Sequence, residues 1–140
     1  MKKLINTSMI YFILALAAGV FYREFTKFNG FSGSTALGRV HTHLFVLGML
    51  IFLIAALFAK NEEAFTESKS FKIFYIIYNI ALPLMACTMI FRGILQVQGT
   101  ALTKTLDASI SGIAGISHIL MAIALAMFFA ALKKVISKTY

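Results

Sequence analysis

Residues 40–59, VHTHLFVLGMLIFLIAALFA, contain no Lys, Arg, Asp or Glu over 20 consecutive positions. A helix needs roughly 20 apolar residues to cross the hydrocarbon core of a bilayer. Similar charge-free stretches of 19 or more residues occupy positions 4–22, 73–91 and 108–132. None of them alternates polar and apolar residues as a strand of a membrane barrel does. The sequence therefore predicts an all-α integral membrane protein with four spanning helices.

The connections between the four stretches are short and contain no second domain. Residues 1–140 are therefore expected to form a single transmembrane domain, with helices at about 4–22, 37–59, 71–93 and 108–134. Short connections favour an antiparallel four-helix bundle, in which the second and fourth helices run parallel and sit diagonally.

The composition agrees with a protein whose main partner is the lipid bilayer. Hydrophobic residues make up 60% of the chain and charged residues only 13%. The net charge of +8 does not indicate a nucleic-acid partner, because the basic residues flank the apolar stretches instead of forming one stripe. Cys87 is the only cysteine, which excludes a disulfide framework and a thiolate metal cluster.

Lysines and arginines divide unequally between the two ends of the predicted bundle. The end with both termini carries eight of them and the opposite end five. Loops rich in basic residues stay in the cytoplasm, so both termini are expected there. The first stretch also resembles a signal peptide, with Lys2 and Lys3 before an apolar run and a cleavage-site pattern at residues 15–17. Because the run continues to Tyr22, we expect a retained helix.

All three histidines fall in the outer halves of the second and fourth helices, at His41, His43 and His118. An ionisable side chain inside a membrane is costly and marks a functional site by default. A single buried histidine more often hydrogen-bonds a carbonyl of a neighbouring helix, but three on two parallel helices favour a ligand site. Neutral imidazole is a common ligand of haem iron and of metal ions.

Two of these histidines share a local pattern, because Gly38 precedes His41 and Gly115 precedes His118 by three residues. Residues three apart lie on one helix face, so each glycine leaves room for a flat macrocycle one turn above its histidine. The helix face that carries His43 has bulkier side chains, which favours His41 as the ligand. Depth in the membrane favours His43 instead, since along the helix axis it is offset from His118 by about 3 Å and His41 by about 6 Å. We expect His41 and His118 to be the ligand pair, with His43 as the alternative.

Arg39 and Arg92 lie at helix ends on the same outer side as the histidines. A guanidinium can bind both oxygens of a carboxylate, so these arginines are expected near haem propionates. Pro83 is expected to kink the third helix and to free the carbonyl of Asn79. No nucleophile–base pair and no paired membrane carboxylates occur in the sequence, so no catalytic residue is assigned.

At residues 38–48, GRVHTHLFVLG, the sequence resembles the second helix of the haem-copper oxidase superfamily. Gly-Arg before His-Thr is similar to the cbb3-type oxidase subunit, and the His-x-His spacing is similar to the NnrS family of haem- and copper-containing membrane proteins. The whole chain also resembles an uncharacterised family of small bacterial four-helix membrane proteins. The resemblance implies a haem ligand at His41 or His43, with His118 opposite as a weaker match.

Four helices and three histidines are too few for the binuclear centre of the oxidases, so at most one haem b per chain is expected. The resulting hypothesis is a b-type haem protein of the bacterial cytoplasmic membrane. It would act in electron transfer, haem sensing or handling, or gas binding, as a homo-oligomer or with a respiratory membrane partner. One alternative is a copper- or zinc-binding protein or transporter that uses all three histidines. A second is a structural or assembly subunit without a cofactor.

Overall fold

The computed structural model describes residues 1–139, apart from the side chains of residues 136, 138 and 139, and these residues form an all-helical bundle. Its elements are α1 (Lys2–Phe28), α2 (Leu37–Asn61), α3 (Glu63–Glu67), α4 (Lys69–Val97) and α5 (Lys104–Thr139). All except the short α3 are long and apolar enough to span a membrane. The predicted all-α, four-helix membrane bundle is therefore confirmed.

Helices α1 and α4 extend past the charge-free stretches and finish in matching turns at the end of the bundle opposite the termini, here called the outer end. Gly30 and Gly99 adopt positive φ angles of 60° and 64° after α1 and α4. Beyond them, the Phe31 N–H donates to the Thr26 carbonyl at 2.9 Å, and the Thr100 N–H donates to a carbonyl of α4 at 3.1 Å. Glycine is preferred at such left-handed helix ends because it lacks a Cβ.

The short connection from α2 to α4 contains the helix α3. Its Phe65 is buried and packs against Phe71 at 4.7 Å and against Phe128 at 5.8 Å between ring centroids. Ser68 then starts α4, because its hydroxyl accepts a hydrogen bond from the Phe71 N–H at 3.1 Å.

The helices pack in chain order: α1 lies along α2, the outer part of α2 contacts α4, and α4 lies along α5. Within residues 1–139, α2 and α5 make no extended contact with each other. The core is aromatic and lies toward the end that carries both termini. There Phe74 contacts Phe128 at 4.9 Å, and Phe52 meets Tyr78 edge-on at 5.6 Å.

The outer half of α5 packs much less than its inner half. Between residues 104 and 120, only Ile110 and Ser117 are fully buried, whereas four residues between 121 and 131 are buried at spacings of three and four. The helices are therefore tightly packed at the end that carries both termini, whereas at the other end α5 packs only loosely against the rest of the bundle.

Helix α2 is not a uniform α-helix, because Leu44–Leu50 is π-helical. Neighbouring helices bind carbonyls of this wider segment: the Ser8 hydroxyl donates to Met49 O at 2.9 Å and the Tyr78 hydroxyl to Leu47 O at 2.8 Å. Gly48 allows Tyr11 of α1 to approach, since an added Cβ would lie 2.6 Å from the Tyr11 Cβ.

Helix α4 continues through Pro83 without interruption to Val97. Pro83 has no N–H, so the Asn79 carbonyl lacks the donor four residues ahead, and the Asn79 side chain makes hydrogen bonds of its own. Its Oδ1 accepts from the Tyr11 hydroxyl at 3.0 Å, and its Nδ2 donates to the Tyr75 carbonyl at 2.8 Å. Asn79 thus links α1 to α4 within the membrane span.

Candidate functional site

His118 lies on an exposed face of α5. Its Nδ1 is 2.7 Å from the carbonyl oxygen of Ala114, one turn back along the helix. A carbonyl can only accept, so Nδ1 carries the hydrogen and Nε2 keeps its lone pair. A Cβ added at Gly115 would meet no atom within 4 Å. The space expected for a flat group one turn above His118 is therefore not filled by a neighbouring helix.

His43 on α2 has the same local chemistry. Its Nδ1 donates to the carbonyl of Arg39 at 2.8 Å, so the lone pair of this ring is also on Nε2. The side chain is half-buried and lines a groove of about 270 Å³ with Thr42, Val46 and Leu47. The two rings therefore share one tautomer, which is the tautomer that a metal ligand bound through Nε2 requires.

His41 lies in a different environment, in the interface between α1 and α2. Its ring stacks on Tyr22 with centroids 6.4 Å apart and planes inclined by 14°. Its Cβ lies 3.8 Å from the position that a Cβ at Gly19 would occupy. The Nδ1 of His41 is buried and has no hydrogen-bond partner in the described part of the chain.

Gly38 also serves the packing of α1 on α2. A Cβ at this position would lie 3.2 Å from the Tyr22 ring, so the space above His41 is filled by Tyr22. The two Gly-x-x-His patterns thus have different surroundings, one closed by a neighbouring helix and one open. The structure places His41 against α1 and His118 on an exposed face of α5.

The rotation between His41 and His43 follows from helix geometry. Two residues correspond to about 200° around a helix, so His43 points away from the α1 interface that holds His41. On α5, His118 lies seven residues after Ser111 and shares its face. Ser111 accepts a hydrogen bond from Arg92 of α4 at 2.8 Å. His118 is therefore on the side of α5 that approaches Arg92.

Two outer contacts set the depth of the histidines relative to α4. Gly93 of α4 touches the backbone of α2, where its added Cβ would lie 2.5 Å from the Leu37 nitrogen. The adjacent Arg92 reaches Ser111 of α5. At 1.5 Å per residue, His43 is about 9 Å below Leu37 and His118 is about 10.5 Å below Ser111. Because Arg92 bonds both Asp107 and Ser111, one turn apart on α5, these contacts place His43 and His118 in the same outer half of the bundle, with His41 about 3 Å nearer the outer end than His43.

The two arginines expected near a cofactor differ in their partners. Arg92 donates to the Asp107 carboxylate at 2.9 Å as well as to Ser111, which ties the outer ends of α4 and α5 together. Arg39 is exposed, and within residues 1–139 it forms no ion pair. Its guanidinium is therefore the freer of the two.

A site made of all three histidines is not assembled in the described chain. Residues 1–139 contain no group of three or more His, Cys, Asp or Glu side chains that could hold a metal ion. The opposite orientations of His41 and His43 on α2 explain this, because one ion cannot lie on both sides of a helix.

Sequence reasoning missed two residues that shape this region, Tyr22 and Asp107. Tyr22 closes the space over Gly38, and Asp107 neutralises Arg92. Asp107 had a usable signal, since it is the last charged residue before a charge-free stretch on the same side as Arg92. No sequence signal separates Tyr22 from the other aromatic residues of α1.

The chain belongs to the family described as "Protein of unknown function (DUF2871)", which matches residues 1–135. The resemblance to the haem-copper oxidase superfamily is wrong, because the family match is to DUF2871 and no family of that superfamily matches. The shared motif covered only residues 38–48, and its Gly38 and His41 serve the packing of α1. No curated protein and no solved structure matches the chain.

Proposed function

We propose that this member of the DUF2871 family is a haem-binding membrane protein in which the imidazoles of His43 and His118 would hold one haem b. The main support for the proposal is that the two imidazole rings share one tautomer and one kind of hydrogen bond. Each donates Nδ1–H to the carbonyl four residues back, at 2.8 Å and 2.7 Å, and each keeps a lone pair on Nε2. Metal-ligating imidazoles are usually fixed by such a hydrogen bond from their second nitrogen.

The position of His118 in the span supports the need for a ligand. It is 11 residues from Asp107 and 15 from Lys133, about 16.5 Å from one charged residue and about 22.5 Å from the other. A polar nitrogen without a partner in the hydrocarbon costs several kcal/mol. In residues 1–139 the hydrogen bonds of both rings are made by Nδ1, and Nε2 has none. Coordination of iron would satisfy both nitrogens.

The surroundings suit a flat apolar group. Helices α2 and α5 both lie against α4 without extended contact with each other. Gly115 leaves open space beside His118, and Val46 and Leu47 give apolar lining beside His43. Arg39 is the residue suited to bind a propionate, because Arg92 is already paired with Asp107.

A haem held by two imidazoles supplies reversible one-electron chemistry at the iron. The chain's own contribution is to fix both tautomers, to leave space on α5 and to exclude water with the apolar groove. These features fit electron transfer, haem sensing or haem handling, and gas binding where one imidazole can leave the iron. From the excess of lysines at the end with both termini, we infer a bacterial cytoplasmic membrane location with both termini in the cytoplasm.

The test is the visible absorption spectrum of the full-length protein, purified from haem-sufficient cells, before and after reduction with dithionite. We expect a sharp reduced α band, at no more than one haem per chain. A protein that stays colourless after haem is added to the purified sample contradicts the proposal. Copper or zinc at stoichiometric amounts in that colourless protein would favour the metal-binding alternative, and their absence the structural subunit.

A further inference from the structure

A separate cavity lies at the end of the molecule that carries both termini, between the first turns of α1 and α4. Its volume is about 450 Å³, which is within the range of small-molecule sites in proteins. Leu4, Phe71 and Ile76 give it an apolar wall, and Lys3, Lys72 and Thr66 supply polar groups. None of these residues belongs to the histidine region.

One of the cations in this cavity is held in position by an aromatic ring. The Lys3 ammonium lies over the ring of Tyr75, 4.1 Å from its centroid. That ring is itself fixed, because the Tyr75 hydroxyl is 2.8 Å from the Thr7 hydroxyl and the Tyr75 and Phe52 rings make an edge-to-face contact with centroids 5.8 Å apart. Lys3 is thus placed at the cavity without a carboxylate partner.

The electrostatics of the cavity favour an anion. In residues 1–139 neither Lys3 nor Lys72 forms an ion pair. Both α1 and α4 begin here, and neither has an acidic residue in its first turn. Helix N-termini carry a partial positive charge that attracts anions. Two lysines and two helix starts therefore converge on one amphipathic space.

The acidic residues of this end lie to one side. Glu63 and Glu67 line an adjoining cavity with Lys60, which shares Met1 and Thr66 with the first. Their carboxylates repel an anion from the adjoining cavity and leave the part between Lys3 and Lys72 as the favourable position.

We propose that this cavity binds the phosphate headgroup of an anionic phospholipid, with the acyl chains leaving along the exposed Ile76 into the bilayer. Free phosphate has the same charged group, but it would leave the apolar wall uncovered. A lipid satisfies both the lysines and the wall, and the cavity lies at the end of the spanning helices where headgroups are found.

The experiment measures binding of fluorescent phosphatidylglycerol to the full-length protein in a neutral detergent. We expect displacement by unlabelled phosphatidylglycerol, and much weaker displacement by phosphatidylcholine, phosphatidylethanolamine or glycerol 3-phosphate. Lys3→Gln and Lys72→Gln should each weaken binding about fivefold. Lys2→Gln and Lys69→Gln remove the same charge from neighbouring positions outside the cavity, and should stay within about twofold of the wild type.

Three results would overturn the proposal. An equal loss in the control variants would indicate general attraction between charges and not a site. Equal displacement by phosphatidylcholine would remove the requirement for an anionic headgroup. Full displacement by glycerol 3-phosphate at the same concentration would make the cavity a site for free phosphate compounds. All four substituted lysines are exposed, and circular dichroism verifies that each variant is folded.

Discussion

At the scale of single residues, the three histidines differ because of their neighbours and not because of their sequence contexts. His43 and His118 each bond their own helix through Nδ1, while His41 stacks on Tyr22 with a buried Nδ1 that has no partner in residues 1–139. We predict that His43→Ala and His118→Ala each lose haem or become high-spin. His41→Phe should keep the spectrum of the wild type, since a phenyl ring retains the stacking on Tyr22.

The His41→Phe variant also has a stability readout. Replacing a buried polar group that lacks a partner by an apolar group of similar shape is nearly neutral or stabilising. Its thermal unfolding temperature in detergent should equal or exceed that of the wild type. A loss of haem in His41→Phe together with a normal spectrum in His43→Ala would reverse our assignment of the ligand on α2.

Two glycines provide a matched pair at the same scale. An alanine Cβ at Gly93 would lie 2.5 Å from the Leu37 backbone nitrogen, whereas one at Gly115 would meet nothing within 4 Å. We predict that Gly93→Ala destabilises the protein by about 1–3 kcal/mol, as overpacking does. Gly115→Ala should be tolerated, and Gly115→Leu should reduce haem content per folded chain. Full haem loading in a folded Gly115→Leu protein would exclude the space beside Gly115 as part of the site.

At the scale of elements, one face of α2 meets a different neighbour than the sequence predicts, both before and within the π-helical segment Leu44–Leu50. A uniform period of 3.6 residues puts Gly38, His41 and Gly48 on one side of α2, and the Gly38–His41 pattern predicts that this side faces the cofactor. These residues instead face α1, because Tyr22 and Tyr11 fill the spaces that the glycines leave. The number and approximate position of the spanning helices followed from charge-free length alone. The neighbour that each helix face contacts depends on tertiary packing. The periodicity of the sequence carries no information about that packing.

The hydrogen bonds to this segment yield a further prediction. Ser8 and Tyr78 donate to the carbonyls of Met49 and Leu47 from α1 and α4 respectively. Hydrogen bonds between membrane helices contribute about 0.6 kcal/mol on average, so Ser8→Ala and Tyr78→Phe should each lower stability by about that amount. Reversible unfolding in mixed micelles measures it. Thr26→Ala, which removes only a hydroxyl bonded within its own helix, is the control. Equal losses in all three variants would show that the cross-helix bonds add nothing.

At the scale of the whole molecule, the even number of spanning helices places both termini on one side of the membrane. We predict that this side is the cytoplasm. In a Cys87→Ala background, a cysteine at Ser32 should react with an impermeant reagent added to intact cells, and one at Asn61 should not. Both positions are exposed in loops or helix ends at opposite ends of the bundle. Labelling at Asn61 alone would invert the orientation.

The uneven packing of α5 has a consequence for the order in which parts of the protein open. Phe128 and its neighbours hold residues 121–131, whereas residues 104–120 have two buried side chains and one ion-paired end. Segments with few buried contacts open at low free energy, so amide protons of the outer segment should exchange with deuterium faster than those of the inner one. A flat ligand could then enter sideways from the lipid, between α2 and α5, without global unfolding. Once bound, the ligand would slow exchange selectively in residues 104–120. It would thereby supply the packing contacts that the polypeptide itself lacks in this half of the bundle.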